Sequence, residues 1–302
     1  SVSTLAPGNV SVQPEEPEEG ETPAASGPNV MDIDFDALIA NETDSTLKDM
    51  HEYFRDRTPT EKNQYTGMFQ GKNLLLFTGE AFWIGAVNEQ YTPTLYKLAH
   101  SGFVFENFYN PLWYYSTVDG EYAATTGLIP TNQVNASQRY AGKNGVSMYF
   151  SMGNQLRALG YPTLAYHNNT ANYYDRNLSH PNLGYDFYAC DTGLDVAMTW
   201  PQSDLEMMQL TLPQALAGEK PFHNYYMTVS GHMNYSFAGN AMSAKHRDEV
   251  ADLDMSEAAR AYLACNMELD QALEYTIKTL EEAGELENTV IVLSGDHYPY
   301  GL

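Results

Sequence analysis

The chain has 302 residues, 43% of them hydrophobic and 13% aromatic, enough to bury a large core in one big domain or two small ones. Its 15 Lys and Arg against 39 Asp and Glu leave a net charge of −24, which excludes a nucleic-acid partner gripped by its phosphates and a domain drawn to anionic lipid by general charge. A phosphate-bearing ligand must therefore be held locally, by a metal or a few placed cations.

Residues 1–30 are rich in Pro, Glu, Gly and Ser with almost no bulky apolar side chain, so they cannot repay their ordering entropy and are expected to be a flexible acidic linker. From Met31 onward the composition is that of a folded domain, and the stretch STLKDMHEYFRDR before Pro59 reads as an amphipathic helix packing on it. The first core strand is expected at Asn73–Thr78, followed by a helix near Pro93–His100, an apolar strand FVFENFY, and a turn-rich segment around Trp113–Gly120. The run YFSMGNQLRALG has helical spacing closed by Gly160, and PTLAYHN reads as a short strand ending at His167. SDLEMMQLTLPQALAG starts with a Ser N-cap and an acidic first turn, and a strand at Phe222–Ser230 follows it. Ser256–Ala283 is the longest helix, with Tyr262, Leu269, Leu273, Ile277 and Leu280 on one stripe and Gly284 as its stop. Strand and helix alternate throughout, which predicts an α/β fold with a mainly parallel central sheet sandwiched by helices. No run approaches the ~18 consecutive apolar residues of a membrane span and no signal-peptide pattern opens the chain, so it is expected to be soluble as given. Cys190 and Cys265 are too few for a disulfide scaffold and are expected unpaired.

Three strands end on a potential ligand. TVIVLSGDH delivers Asp296 and His297 side by side, NLLLFTGE ends at Glu80, and HNYYMTVSGH ends at His232. Ligands gather at the carboxyl ends of strands in open α/β sheets, so this pattern suits a metal site at the sheet edge. A carboxylate at Glu80, placed after an apolar run, needs a cation, which could be a metal or a buried Arg. Thr117 precedes DGEYAATTG, which can start a helix; its hydroxyl could face a phosphate there, or it could be a plain N-cap.

Taken together, KNLLLFTGEAF, STVDGEY, SGHMNYSF and VIVLSGDHY, in this order, resemble the lipoteichoic acid synthase family, phosphoglycerol transferases of the alkaline phosphatase and sulfatase superfamily. The resemblance runs from about Met31 to Leu302, and implies that residues 31–302 are a sulfatase-like catalytic domain. It implies that Glu80, Thr117, Asp296 and His297 surround one divalent metal, usually Mn²⁺ in this family, with Thr117 as nucleophile. Three oxygen donors and an imidazole fit that ion, with Mg²⁺ and Zn²⁺ as competitors. In AYHNNTANYYDRNLSHPNLGYD the family's substrate-pocket positions fall on His167, Tyr174 and Arg176, with Arg176 as a phosphate clamp and His167 orienting a glycerol hydroxyl. His232 is implied to contact substrate and shuttle a proton. Of the other histidines, His51, His100, His180, His223 and His246 are expected to be mostly structural or solvated.

The implied reaction moves glycerophosphate from the phosphatidylglycerol head group to a polyglycerophosphate acceptor through a glycerophospho-threonine. It would take place at the outer face of the cytoplasmic membrane of a Gram-positive bacterium. Family members usually carry N-terminal transmembrane helices, which this chain lacks, and a catalytic domain that runs on past the Asp-His pair, so the chain is expected to be an extracellular domain without its C-terminal part. A sulfatase activity is disfavoured because no C/S-x-P-x-R pattern occupies the nucleophile segment. A phosphoethanolamine transferase, a phosphodiesterase or a non-catalytic polymer-binding module are the alternatives.

Overall fold

The computed structural model describes residues 26–31, 33–110, 116–130 and 137–302. It divides into two compact units, Ser1–Gln70 and Gly71–Leu302. Residues 1–25, most of the expected linker, lie outside the described residues. In the first unit, α1 (Phe35–Asn41) and α2 (Ser45–Arg55) are capped by Asp34 and Asp44, whose carboxylates accept from first-turn N–H groups. The expected amphipathic helix is therefore present as α2, but neither helix contains a buried residue.

The second unit runs β1 (Asn73–Gly79), α3 (Pro93–Ala99), α4 (Ser116–Thr126), α5 (Ser137–Asn144), α6 (Met152–Ala158), β2 (Thr163–His167), α7 (Arg176–Asn182), β3 (Asp186–Ala189), α8 (Asp204–Ala217), β4 (His223–Met227), α9 (Ala241–Lys245), α10 (Glu257–Glu282) and β5 (Thr289–Gly295). The strands form one sheet in the order β3-β2-β4-β1-β5, and every pairing is parallel. Strand side chains alternate between two cores. Leu75, Phe77 and Tyr226 face Met207 and Leu212 of α8 and Leu269 and Leu273 of α10, while Leu76, Tyr225 and Met227 face Leu183, Tyr185 and, from α6, Met152. The rings of Phe77, Tyr226 and Tyr166 stack in a row across β1, β4 and β2, with centroids 5.0 and 5.3 Å apart. Such flat burial of aromatic area dominates the energetics of a core, at roughly 1.5–3 kcal/mol for a fully buried Phe.

The longest helix begins one residue after its cap: Ser256 Oγ accepts from Ala259 N, and Gly284 follows the end with φ +69°. Of its expected stripe, Tyr262, Leu269, Leu273 and Leu280 are buried and Ile277 is partly so. Among the described residues no helix is long and apolar enough to cross a membrane. Both cysteines are free.

Two expectations fail. FVFENFY is not a strand: Phe103, Val104, Phe105, Phe108 and Tyr109 are 58, 54, 78, 57 and 84% exposed and join no ladder. Strand propensity is a propensity to pack against neighbours, and among the described residues this segment has no strand beside it. The turn-rich reading of residues 113–120 gives way at Ser116, where α4 begins, so that Thr117 lies inside the first helical turn; residues 111–115 lie outside the described ones. The four-residue strand β3 was not anticipated.

Parallel register brings the carboxyl ends of four strands to one edge. Thr78 pairs with Met227 on one side and Ser294 on the other, and His167 pairs with Met227. Glu80, Asp296 and His297 follow directly on the ends of β1 and β5, and His167 is the last residue of β2.

Candidate active site

Glu80, Asp296 and His297 meet at this edge, with one donor atom of each within 4.8 Å of the others. They are 7, 0 and 4% exposed. Glu80 leaves β1 in a tight turn whose next residue, Ala81, has φ +50°, a left-handed conformation that costs a side chain of order 1 kcal/mol or more. Ala81 is fixed from both sides: its N–H donates to Asp296 Oδ1 at 2.8 Å, and its carbonyl accepts from Tyr262 Oη of α10 at 2.8 Å. Tyr262 Oη also accepts from Trp83 N at 3.0 Å. The Glu80 N–H donates to Thr228 Oγ1 at 2.9 Å, tying the end of β1 to the end of β4.

Asp296 Oδ1 accepts a second N–H, from His297 at 2.7 Å. Asp296 Oδ2 is buried and has no hydrogen-bond partner; it points toward His297 Nε2, 3.5 Å away. His297 Nδ1 donates to the Tyr298 carbonyl at 2.8 Å, which turns Nε2 toward Glu80 Oε1 at 3.3 Å. This is the tautomer in which an imidazole ligates through Nε2. Burial, and then the neighbouring Glu80 charge, hold the Asp296 carboxyl well above the usual carboxylate range. Burial alone would depress His297, but the hydrogen bond to Glu80 and the Asp296 charge win and raise it to about 9. The Nε2 of His297 thus stands between two buried carboxyl groups, and the orphaned Asp296 oxygen faces the gap. A divalent cation would satisfy that oxygen and take the place of the Nε2 proton, so the residues present fit a metal.

The helix that carries Thr117 packs against this cluster. A Cβ added at Gly120 would lie 2.5 Å from Asp296 Cα and O, so the first turns of α4 sit directly on the Asp296 backbone. Thr117, half-buried, is three residues earlier and shares that helix face. The His232 loop is seated as closely, since a Cβ at Gly231 would meet the Glu80 carbonyl oxygen at 2.3 Å. Asp204, the first residue of α8, holds the base of the same loop: Oδ1 accepts from Val229 N at 2.9 Å and Asn168 Nδ2 at 2.9 Å, and Oδ2 accepts from Ser230 Oγ. Burial nevertheless raises Asp204 to about 6. His232 itself is half-buried, with Nδ1 on the Met233 carbonyl at 2.6 Å and its ring 4.9 Å from that of Trp200.

His167, Tyr174 and Arg176 form a second group. Arg176 is 1% exposed; Nε donates to Glu121 Oε1 at 3.0 Å, Nη2 donates to the same oxygen, and Nη1 approaches His167 Nε2 at 3.2 Å. The ring of Tyr174 lies 5.4 Å from the guanidinium carbon. His167 Nδ1 donates to the Met227 carbonyl at 3.0 Å, so Nε2 accepts from Arg176 and both ring nitrogens are engaged by protein. Burial and the Arg176 charge hold His167 well below its ordinary value, and therefore neutral. Tyr174 and Asp175 have φ +57° and +56°, two successive residues in the left-handed region. Their turn is pinned by Arg139 and Lys143 of α5, which reach Asp175 Oδ2 through Arg139 Nε and Lys143 Nζ, each at 2.9 Å.

Sequence reasoning assigned no role to Glu121 or Asp204 and read Tyr262 only as part of an apolar helix stripe. Each is polar on a helix, and its role lies in partners 55, 26 and 181 residues away. Of the histidines expected to be mostly structural or solvated, His180, His223 and His246 are buried, at 0, 0 and 3% exposure.

Residues 72–301 match the family described as Sulfatase. The chain is 23% identical over 284 residues to lipoteichoic acid synthase 2 of Bacillus subtilis (strain 168), covering 89% of this chain and 42% of that protein. It is 24% identical over 273 residues to lipoteichoic acid synthase of Staphylococcus saprophyticus, covering 86% and 41%. The chain thus spans about two-fifths of the length of these curated relatives. Its fold is similar to that of the lipoteichoic acid synthase LtaP from Listeria monocytogenes, with a TM-score of 0.64 and 23% identity over 77% of this chain and 57% of that one. It is also similar to the C-terminal periplasmic domain of EcEptC from Escherichia coli, solved in complex with zinc, with a TM-score of 0.52 and 19% identity over 76% and 64%.

Proposed function

The chain belongs to the sulfatase family, and from that premise we propose that it is a metal-dependent phosphoglycerol transferase that uses Thr117 as its nucleophile. The observation that carries the reading is the buried Glu80, Asp296 and His297 cluster, with an unsatisfied Asp296 oxygen and the Thr117 helix packed onto the Asp296 backbone. Similarity to lipoteichoic acid synthases of two genera supports the choice of donor, phosphatidylglycerol, and of acceptor, a polyglycerophosphate chain.

Glu80, Asp296 and His297, with the Thr117 hydroxyl, would hold a divalent cation, Mn²⁺ ahead of Mg²⁺ or Zn²⁺. When bound, the cation supplies a Lewis acid that lowers the hydroxyl pKa and draws charge from the phosphoryl oxygens. Two N–H donors fix Asp296 Oδ1, so Oδ2 keeps one orientation toward the cluster. Thr117 sits in the first turn of α4, where the helix dipole favours an anion.

In the first step Thr117 gives up its hydroxyl proton to solvent, the Oγ1–P bond forms and the bond from phosphorus to the diacylglycerol oxygen breaks; the leaving oxygen takes a proton delivered by His232. In the second, a glycerol hydroxyl of the acceptor attacks phosphorus and gives its proton to His232, while the Oγ1–P bond breaks and Thr117 Oγ1 takes back a proton from solvent. Each step exchanges one phosphodiester for another, so positioning and charge neutralisation carry the catalysis. The site would work at the outer face of the cytoplasmic membrane of a Gram-positive bacterium, with the acidic segment 1–30 as the tether to a membrane anchor.

The test is release of diacylglycerol from phosphatidylglycerol vesicles in the presence of Mn²⁺, expected to vanish after chelation and in Glu80→Ala and Asp296→Ala. Release from phosphatidylethanolamine instead would reassign the donor. A protein that binds no stoichiometric divalent ion would overturn the reading.

A further inference from the structure

Helix α4 touches both halves of the site with one face. Thr117, Gly120 and Glu121 are spaced i, i+3, i+4 and share that face. Gly120 rests on the Asp296 backbone, and Glu121, fully buried, receives Arg176. The carboxylate is engaged on both oxygens. Oε1 takes Nε and Nη2 of Arg176, while Oε2 accepts from Gln138 Nε2 at 3.1 Å and faces His180 Nε2 at 3.8 Å. From Arg176 the chain of contacts runs on through Nη1 to His167 Nε2, and from His167 Nδ1 to the Met227 carbonyl at the end of β4.

The arrangement is expensive for a core. A buried ion pair gains little over apolar residues of the same volume, because desolvating two charges cancels most of their attraction. What it provides is direction. With the Nε side of the guanidinium given to Glu121 and Nη1 given to His167 and, at 3.4 Å, to the Tyr173 carbonyl, the outer hydrogen of Nη2 is what Arg176 has left for an incoming oxygen. The same contacts leave His167 unable to rotate or change tautomer.

We infer that Glu121 is a positioning residue, whose carboxylate fixes Arg176 and, through Arg176, the tautomer of His167, and ties this substrate-facing group to the helix that carries Thr117. The inference rests on the proposed reading in which Arg176 faces the phosphate of the donor lipid. It deepens that reading by naming the residue that sets the clamp, one that touches no substrate atom itself.

The experiment is a double-mutant cycle with Glu121→Gln and Arg176→Met on phosphatidylglycerol, together with ¹⁵N spectra of histidine-labelled protein. In the wild-type background Glu121→Gln should raise KM on the order of tenfold, the effect of one misdirected charge-assisted hydrogen bond, and leave kcat within about threefold. In the Arg176→Met background it should add less than about twofold, because its effect passes through Arg176. The His167 signals, identified by their loss in His167→Gln, should show a neutral ring protonated on Nδ1 in the wild type and lose that fixed signature in Glu121→Gln. Should Glu121→Gln fail to fold, Glu121→Asp keeps the charge and shortens its reach, and should give a smaller rise in KM with a partial change in the His167 signals. Equal effects in both backgrounds, a loss of kcat at constant KM, or unchanged His167 signals would overturn the inference. If the wild-type protein consumes no phosphatidylglycerol, the functional reading fails, while the His167 spectra still decide the role of Glu121.

Discussion

Replacing Gly120 with Ala probes the contact on which the site's assembly depends. Inside a helix, Gly→Ala ordinarily stabilises by roughly 0.5–1 kcal/mol, since Ala loses less backbone entropy. Here the new Cβ would stand 2.5 Å from Asp296 Cα, 2.5 Å from its carbonyl oxygen and 2.8 Å from its carbonyl carbon. Carbon atoms in good contact sit at about 3.5–4.0 Å, so the deficit is about 1 Å against backbone that cannot rotate away. Either α4 or the end of β5 must shift. Overpacking of this kind costs about 1–3 kcal/mol, which cancels the helix gain and leaves a net destabilisation of up to about 2.5 kcal/mol. A displacement near 1 Å between Thr117 and the Asp296 group should also slow transfer on the order of a hundredfold. Urea unfolding of wild type and Gly120→Ala, with single-turnover rates on phosphatidylglycerol, measures both. A variant as stable as wild type or more so, turning over at an unchanged rate, would refute the seating of α4 on Asp296.

Other expectations follow from the same geometry. Because His297 is raised to about 9 in the metal-free site, it is protonated at pH 7, and an incoming cation must displace that proton. Metal affinity should therefore climb with pH up to about 9, with a proton released on binding at pH 7; calorimetry in buffers of different ionisation enthalpy reads it, and no proton release would contradict it. Tyr262→Phe removes the two hydrogen bonds that brace the turn after Glu80. It should cost about 1–3 kcal/mol of stability and weaken metal binding on the order of tenfold, while an unchanged metal titration would count against the bracing role. Burial tends to raise Glu268, but hydrogen bonds from His246 at 2.9 Å, Lys245 at 2.6 Å and Ser203 prevail and depress it from 4.5 to about 2. Its contribution to stability is complete above pH 4.5 and is lost as pH falls toward 2, so Glu268→Gln should flatten the acid limb of the stability curve; an acid limb as steep as wild type would exclude that role.

The strands that position the site were legible because each is an apolar run with an abrupt polar stop. NLLLFTG and TVIVLSG form β1 and β5 and deliver Glu80, Asp296 and His297 as their pattern suggested. α10 was legible by its stripe, its Ser cap and its Gly stop. FVFENFY shows the limit of that logic, since an apolar run becomes a strand only where a neighbour exists to pair with it. β3 escaped notice because four residues, DFYA, of which only Ala189 is buried, carry too little pattern. Arg176 was legible as a cation in a pocket segment, but its counter-ion was not. Glu121 stands in STVDGEYAATT, where an acid on a helix reads as solvated, and only the fold brings it to a guanidinium 55 positions on. Buried polar networks of this kind are long-range properties, and local spacing holds no trace of them.

The central claim is that Thr117 takes the phosphoryl group. Intact-protein mass spectrometry after rapid mixing with phosphatidylglycerol and Mn²⁺ tests it most directly. The account predicts a glycerophosphoryl adduct that maps to Thr117, forms before product, disappears when acceptor is added, and is missing in Thr117→Ala. Transfer that proceeds in Thr117→Ala, or an adduct that maps to another residue, would contradict it.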